Sequence, residues 1–446
     1  MADIANDEEA PAAEAPWPSP RLAWTALIML MVAMMISVLD RGVINLLVEP
    51  IKGQYHLNDT QFGALTGLAF GLLYVTASMP IGFLADRFPR RIVIGIGMTM
   101  FSLFSISTGL ARNYTQLFIS RMGVGGGEAS MSPAGLSIIS DYFPRARLGR
   151  AVSLFMSSTY IGASLALVVG GTLIGSFTRL QKMQPDALFG FQPWQATIIC
   201  AALPGLLLAP MFFLIREPRR RGLLGTGKPL PLRDVVRELG KRKTPLALIT
   251  TGMSMASIMT LGVTMWTPAL FIRVYHWSPA KVGLWLGLLT LAGGVVGGFL
   301  SGWLSDRMLQ RRAPDAPITV AALSFVGVGI FGIGAPLMPT PELALLFFVP
   351  VLFLKPMAFA CGPMALQLLV PNQIRGQTSG VYFTTVNLLG LAVGPIVTGA
   401  MSDYLFPGPT GVRYSLVVMT AVTVPLMILL MWAARRPYRA AVAAES

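Results

Sequence analysis

The chain has 446 residues, of which 54% are hydrophobic and 12% charged, with a net charge of +14. Soluble domains carry about 25% charged residues, so this composition excludes a soluble or nucleic-acid-binding protein and marks a polytopic membrane protein. Two cysteines, Cys200 and Cys361, fall in apolar stretches and speak against a disulfide framework or a metal site.

Residues 1–20 are acidic and rich in Ala and Pro, which predicts a disordered tail and not a cleavable signal. Apolar runs of about 20 residues cross a bilayer as helices. Twelve are expected: 22–49, 61–84, 92–111, 114–140, 149–176, 193–215, 245–272, 279–302, 316–337, 342–367, 377–404 and 411–434. The fold class is therefore all-α, with twelve transmembrane helices in two six-helix bundles at 21–215 and 245–436. A linker at 216–244 joins them, with ten Lys and Arg against three acids. Its segment Leu232–Glu238 reads as an amphipathic helix on the membrane surface. A short tail, 437–446, ends the chain.

With both termini on one side, the other side collects only Lys52, Arg112, Arg179, Lys182, Arg273, Lys281 and Arg413. The preference of Lys and Arg for the inner side then predicts cytoplasmic termini and a cytoplasmic linker.

Five ionisable residues lie inside the expected spans: Asp40, Arg41, Arg121, Glu128 and Lys355. Each costs roughly 2.5–3.5 kcal/mol at bilayer depth on insertion scales, which marks it as functional or tightly paired. By helix rise, Asp40 lies about 18 Å from Lys52, and Arg121 and Glu128 lie about 10 and 21 Å from Tyr114. Two acids and two bases at matched depth are expected to neutralise one another. The choice is between a static ion network and one whose acids, Asp40 and Glu128, exchange protons. Arg41 and Arg121 are then their partners or anion contacts. Gly123, Gly125, Gly126 and Gly127 predict close contact between the first and fourth spans here.

The halves repeat. Gly82-Phe83-Leu84-Ala85-Asp86-Arg87-Phe88-Pro89-Arg90-Arg91 after the second span is echoed by Gly302-Trp303-Leu304-Ser305-Asp306-Arg307 after the eighth, which continues to Arg311-Arg312. Gly135, Pro144 and Gly149 recur as Gly362, Pro371 and Gly376, and the same offset sets Lys355 opposite Glu128. Lys355 lies about 20 Å from Glu342 by helix rise, and Pro356 follows it. It is read as the docking charge for an anionic or phosphate-bearing headgroup, or as a lysine neutralised by burial or bonded to carbonyls. Met253, Met255, Met259, Met265 and Trp266 offer an adaptable apolar surface or ordinary packing. Tyr382, Phe383, Thr384, Thr385 and Asn387 place polar groups at cavity depth. His56 and His276 receive no role, and no metal or nucleophile constellation is present.

With its twelve spans, its G-x-L-A-D-R-x-x-R-R motif in the first half and the echo of that motif in the second, the chain resembles the major facilitator superfamily over essentially its whole length. The resemblance implies binding between the halves near mid-membrane. It also implies a cytoplasmic gate in which Asp86, with Arg87 and Arg90, acts on the start of span eleven. Asp306 with Arg307 acts on the start of span five. Closer text resembles the spinster branch: Val38-Leu39-Asp40-Arg41, Leu57-Asn58-Asp59-Thr60-Gln61-Phe62-Gly63, Gly125-Gly126-Gly127-Glu128-Ala129 and Asp141-Tyr142-Phe143-Pro144. That branch implies roles for Asp40, Arg41, Arg121 and Glu128. It implies transport of sphingosine-1-phosphate-like or lysophospholipid-like amphiphiles.

The expectation is a monomeric, non-enzymatic secondary transporter of the inner membrane, working by alternating access among membrane lipids. It has no cofactor, and the proton is its coupling ion. The substrate is read as a small amphiphilic or anionic molecule contacting Arg41, Lys355, Trp266, Tyr382 and Asn387. The second reading is an organic anion:proton symporter for sugar acids or carboxylates. A transporter-like sensor or receptor is the reading outside transport.

Overall fold

The computed structural model describes residues 17–220, 237, 239, 240, 242–310, 315–370 and 374–443. The amphipathic segment expected at 232–238 falls outside these, apart from Arg237. Helices account for nearly all of the described chain. The first half holds α1 (Pro20–Val43), α2 (Asp59–Gly63, a π turn Ala64–Ala69, then Phe70–Arg87) and α3 (Arg90–Leu110). It continues with α4 (Tyr114–Glu128 and Met131–Tyr142), α5 (Arg145–Met183) and α6 (Pro193–Leu214). The second half holds α7 (Lys243–Arg273), α8 (Pro279–Gln310), α9 (Ala316–Leu337), α10 (Pro341–Leu369), α11 (Arg375–Ala400) and α12 (Gly411–Ala443). Helix α12 thus continues through most of the residues read as a tail, and Tyr438 there is buried.

Among the described residues, 11 helices are long and apolar enough to cross a membrane. Helix α4 makes the twelfth crossing in two pieces. Its break has a local cause. The Ser130 hydroxyl donates to the Gly127 carbonyl at 3.0 Å, and Pro133 lacks the N–H that would bond the Ala129 carbonyl. The glycine run before the break packs against α2 and α3, not against α1 as the sequence suggested. A Cβ on Gly125 would lie 2.1 Å from the Phe70 carbonyl oxygen, and one on Gly127 would lie 2.5 Å from the Phe101 nitrogen. Helix α1 reaches α4 through charged side chains instead.

The two ends of the molecule differ. At the end bearing Asp59, α2 packs on α11 and α5 on α8 with no room for a side chain between them. A Cβ on Gly67 would lie 2.3 Å from the Leu391 oxygen, and one on Gly283 would lie 2.1 Å from the Leu167 oxygen. The apolar core here is continuous across the halves, from Leu47, Phe62 and Leu65 to Trp266 and Phe271. Toward the end bearing Arg90 the same four helices part. Gly82 on α2, Gly149 on α5, Gly298 on α8 and Gly380 on α11 would each meet nothing within 4 Å. The molecule is closed at the Asp59 end and open at the Arg90 end.

The repeat also shows in loop geometry. His56 before α2 and His276 before α8 both turn into the left-handed region, with φ of 53° and 55°. Their role is to end one element and aim the next.

At the Arg90 end of the second half, Asp315 starts α9 and binds α12. Its carboxylate accepts from Arg435 Nε at 2.6 Å and from Arg439 Nε at 2.9 Å. Burial pushes the carboxyl pKa up, but the Arg439 and Arg435 guanidiniums outweigh it and hold it below the usual carboxylate range. A depressed folded pKa gives stability that is fully present above the unfolded value. That stability is lost as pH falls through the folded value. Asp315→Asn should therefore lower the melting temperature at neutral pH and flatten its decline below about pH 4. Thermal melts across a pH series check this. Parallel wild-type and variant curves would contradict it.

Candidate charge network and closed-end latch

The structure brings Asp40, Arg41, Arg121 and Glu128 together, as two ion pairs of unlike character. The Asp40 carboxylate accepts from Arg121 Nη1 at 3.0 Å and from the Ser105 hydroxyl. Both side chains of this pair are sealed, with 1% of Arg121 and 2% of Asp40 exposed. Arg41 Nη2 stands 3.4 Å from Glu128 Oε1. Here the acid is buried, but 31% of the Arg41 side chain is exposed. Its guanidinium lies 5.2 Å from the centroid of Phe70, which stacks on Tyr74. Glu128 Oε2 has no hydrogen bond of good geometry, although the Ser37 hydroxyl lies beside the carboxyl. The adjacent residues 40 and 41 thus serve different partners, because successive helix positions point about 100° apart.

Lys355 stands on α10, partly exposed, and its Nζ donates to the Thr264 hydroxyl of α7 at 2.8 Å. Among the described residues no carboxylate lies within ion-pair distance of it. Of the expected substrate contacts besides Arg41 and Lys355, only Asn387 is partly exposed, and its amide donates to the Phe383 carbonyl at 2.9 Å. Trp266 is a correction. It is fully buried, and its indole N–H donates to the Pro395 carbonyl at 3.0 Å inside the closed end. Tyr382 is a second correction. It is buried against Gly362 and Met253 within its own half.

The expected gate divides in the same way. Arg87 and Arg307 stand exposed at the open end, the latter over the Trp303 ring. The side chains of Asp86 and Asp306 lie outside those described. Arg90 is not a gate residue here. It is 1% exposed and donates to Asp141 at 2.5 Å and to Glu217 at 2.9 Å. It fastens α3 to α4 and to the chain after α6, within one half.

The closed end holds a latch that sequence reasoning missed. Asp403, just past α11, accepts from the backbone N–H groups of Asp59 and Thr60 at 2.9 and 2.7 Å. It also accepts from the Thr60 hydroxyl at 2.6 Å. It thereby binds the free N-terminal amides of α2 in the other half. Asp59 accepts from Arg273 Nη1 and Nη2 at 2.6 and 2.8 Å, and from Lys52. Arg273 also reaches Glu49 at 2.6 Å. A usable signal was present: Asn58 and Gln61 form a capping box that fixes the start of α2.

Residues 30–395 match the Major Facilitator Superfamily. The chain belongs to the Major Facilitator Superfamily. Its relatives include an MFS-type efflux pump of Mycolicibacterium smegmatis, 25% identical over 94% of each chain. Another is protein spinster homolog 1 of Xenopus tropicalis, 25% identical over 87% of this chain and 75% of that one. A solved bacterial homolog of the human lysosomal transporter Spinster, inward-facing and unoccupied, superposes with a TM-score of 0.77. It is 23% identical and covers 96% of this chain and 98% of its own. The expected fold class and the spinster-type resemblance both stand. The chain is a multi-pass membrane protein of a transporter family.

Proposed function

We propose that this is a monomeric, proton-coupled transporter of a small anionic amphiphile, of lysolipid or sphingosine-1-phosphate-like chemistry. It works by alternating access with both termini cytoplasmic, so the open Arg90 end faces the cytoplasm. The carrying observation is the contrast between the two ion pairs. Asp40–Arg121 is dry and positions α1 against α3 and α4. Arg41–Glu128 is partly wetted, and Glu128 keeps an oxygen without a good hydrogen bond. Protonation of Glu128 releases Arg41 for an anion, and anion binding to Arg41 in turn favours a protonated Glu128. The second half contributes Lys355, steadied by Thr264, as the headgroup charge.

In the outward-open state Asp86 would engage the start of α11 and Asp306 the start of α5, with Arg87 and Arg307 beside them. Asp403 on the start of α2 is the same device at the other end.

Lys355→Ala should weaken binding of lysophosphatidic acid to purified protein by roughly tenfold or more, the worth of a charge-assisted hydrogen bond. It should leave the melting temperature nearly unchanged. Equal affinity in wild type and variant would remove Lys355 from the site. The compact carboxylate of a sugar acid satisfies the same Arg41 and Lys355 charges and is the second reading. A binding screen of single-tailed lipids against sugar acids separates the two.

A further inference from the structure

The end of α12 carries a cleft that shares no residue with the charge network or the latch. It has a volume of about 490 Å³ and is lined by Trp432, Ala433, Arg435, Arg436 and Arg439. From Gly411 to Trp432 the helix rises about 31 Å, close to the roughly 30 Å hydrocarbon thickness of a bilayer. Trp432 therefore stands at headgroup level, where indoles concentrate, and 65% of it is exposed.

Three arginines follow it within two helical turns. Their arrangement is fixed and not merely basic. The sealed carboxylate of Asp315 holds Arg435 at 2.6 Å and Arg439 at 2.9 Å. The Arg435 guanidinium lies over the Trp432 ring, 5.0 Å from its centroid. Arg436 is exposed and has no carboxylate partner among the described residues. Asp315 pairs with two of the three guanidiniums and leaves Arg436 over, so the cleft keeps a surplus of positive charge beside an aromatic plane.

We propose that this cleft binds the headgroup of an anionic phospholipid of the surrounding leaflet. The phosphate takes Arg436 and the outer face of Arg439, and the glycerol backbone lies against Trp432. The lipid would brace α12 against α9 through the Asp315 link. This site is separate from the one between the halves, and it stands whether or not the proposed substrate is correct.

Native mass spectrometry of the purified protein with added phosphatidylglycerol or phosphatidylcholine tests the proposal. Wild type should retain phosphatidylglycerol preferentially. Arg436→Gln should lower that preference about fivefold, the weight of one arginine at a charged membrane surface. Trp432→Leu combined with Arg436→Gln should lower it further. Arg436 is exposed, so an unchanged melting temperature in phosphatidylcholine shows that the variant is folded. Equal retention of both lipids by wild type would overturn the proposal, as would an unchanged preference in the variants. Displacement of phosphatidylglycerol by equimolar inorganic phosphate would reassign the cleft to a soluble anion and overturn the lipid assignment.

Discussion

Glu128→Gln should abolish flux driven by a pH gradient in proteoliposomes and leave the melting temperature close to wild type. Asp40→Asn should do something different: it should destabilise the protein as well as stop transport. The reason lies in what each change leaves behind. Removing the Asp40 charge strands Arg121, which is 1% exposed and whose Nε and Nη2 already lack hydrogen-bond partners among the described residues. Breaking a buried pair in this way costs about 3–5 kcal/mol. Removing the Glu128 charge leaves Arg41, which reaches solvent and keeps its stacking on Phe70. A screened guanidinium of this kind costs little. The variant should therefore fold and lose only the carboxyl proposed to take the proton. Downhill exchange of substrate without a gradient should survive in Glu128→Gln. Wild-type gradient-driven flux in Glu128→Gln would sink the coupling proposal. Equal melting temperatures for Asp40→Asn and wild type would sink the division between a dry pair and a wet one.

The sequence carried much of this site, and the reason is energetic. Charge in an apolar span is expensive, so Asp40, Arg41, Arg121, Glu128 and Lys355 stood out with no structure in view. Helix rise alone set Asp40 and Arg41 at a level between Arg121 and Glu128. What depth cannot give is rotation. It could not say that Asp40 turns to Arg121 and Arg41 to Glu128, or that Ser105 and Thr264 complete the partnerships. Rotation also explains the misplaced residues. Trp266 and Tyr382 lie on the spans expected to line the cavity, but they turn into the seal and into their own half. Arg90 shares its motif with Arg87, which stands exposed at the open end. Its own guanidinium found Asp141 and Glu217, acids that no spacing linked to it. The latch was hidden for a further reason. Its five charged residues lie at span ends, where charge is cheap and carries no signal of its own.

Asp403→Ala should open the closed end. In wild type the Asp403 carboxylate holds three donors across the interface, two of them backbone amides at the positive end of α2. An acid at a helix N-terminus in such a partly buried setting is worth up to about 2 kcal/mol. That corresponds to about thirtyfold in the balance between the two states of the transporter. Asp403 lies after α11 and its partners begin α2, so its contribution exists only while those helix ends touch. The loss should therefore fall on the state described here and not on folding as a whole. Spin labels at Gln54 and Tyr404, on opposite sides of the seam, should report a longer distance population in the variant. Substrate should gain access from the Asp59 side at the same time. Asp59→Asn should move the distance distribution in the same direction, because it releases Arg273 and Lys52 from α2. A distribution unchanged from wild type in both variants would mean that the seal is held by apolar packing alone. The continuous core around Phe62, Leu65 and Trp266 would then be the next place to cut.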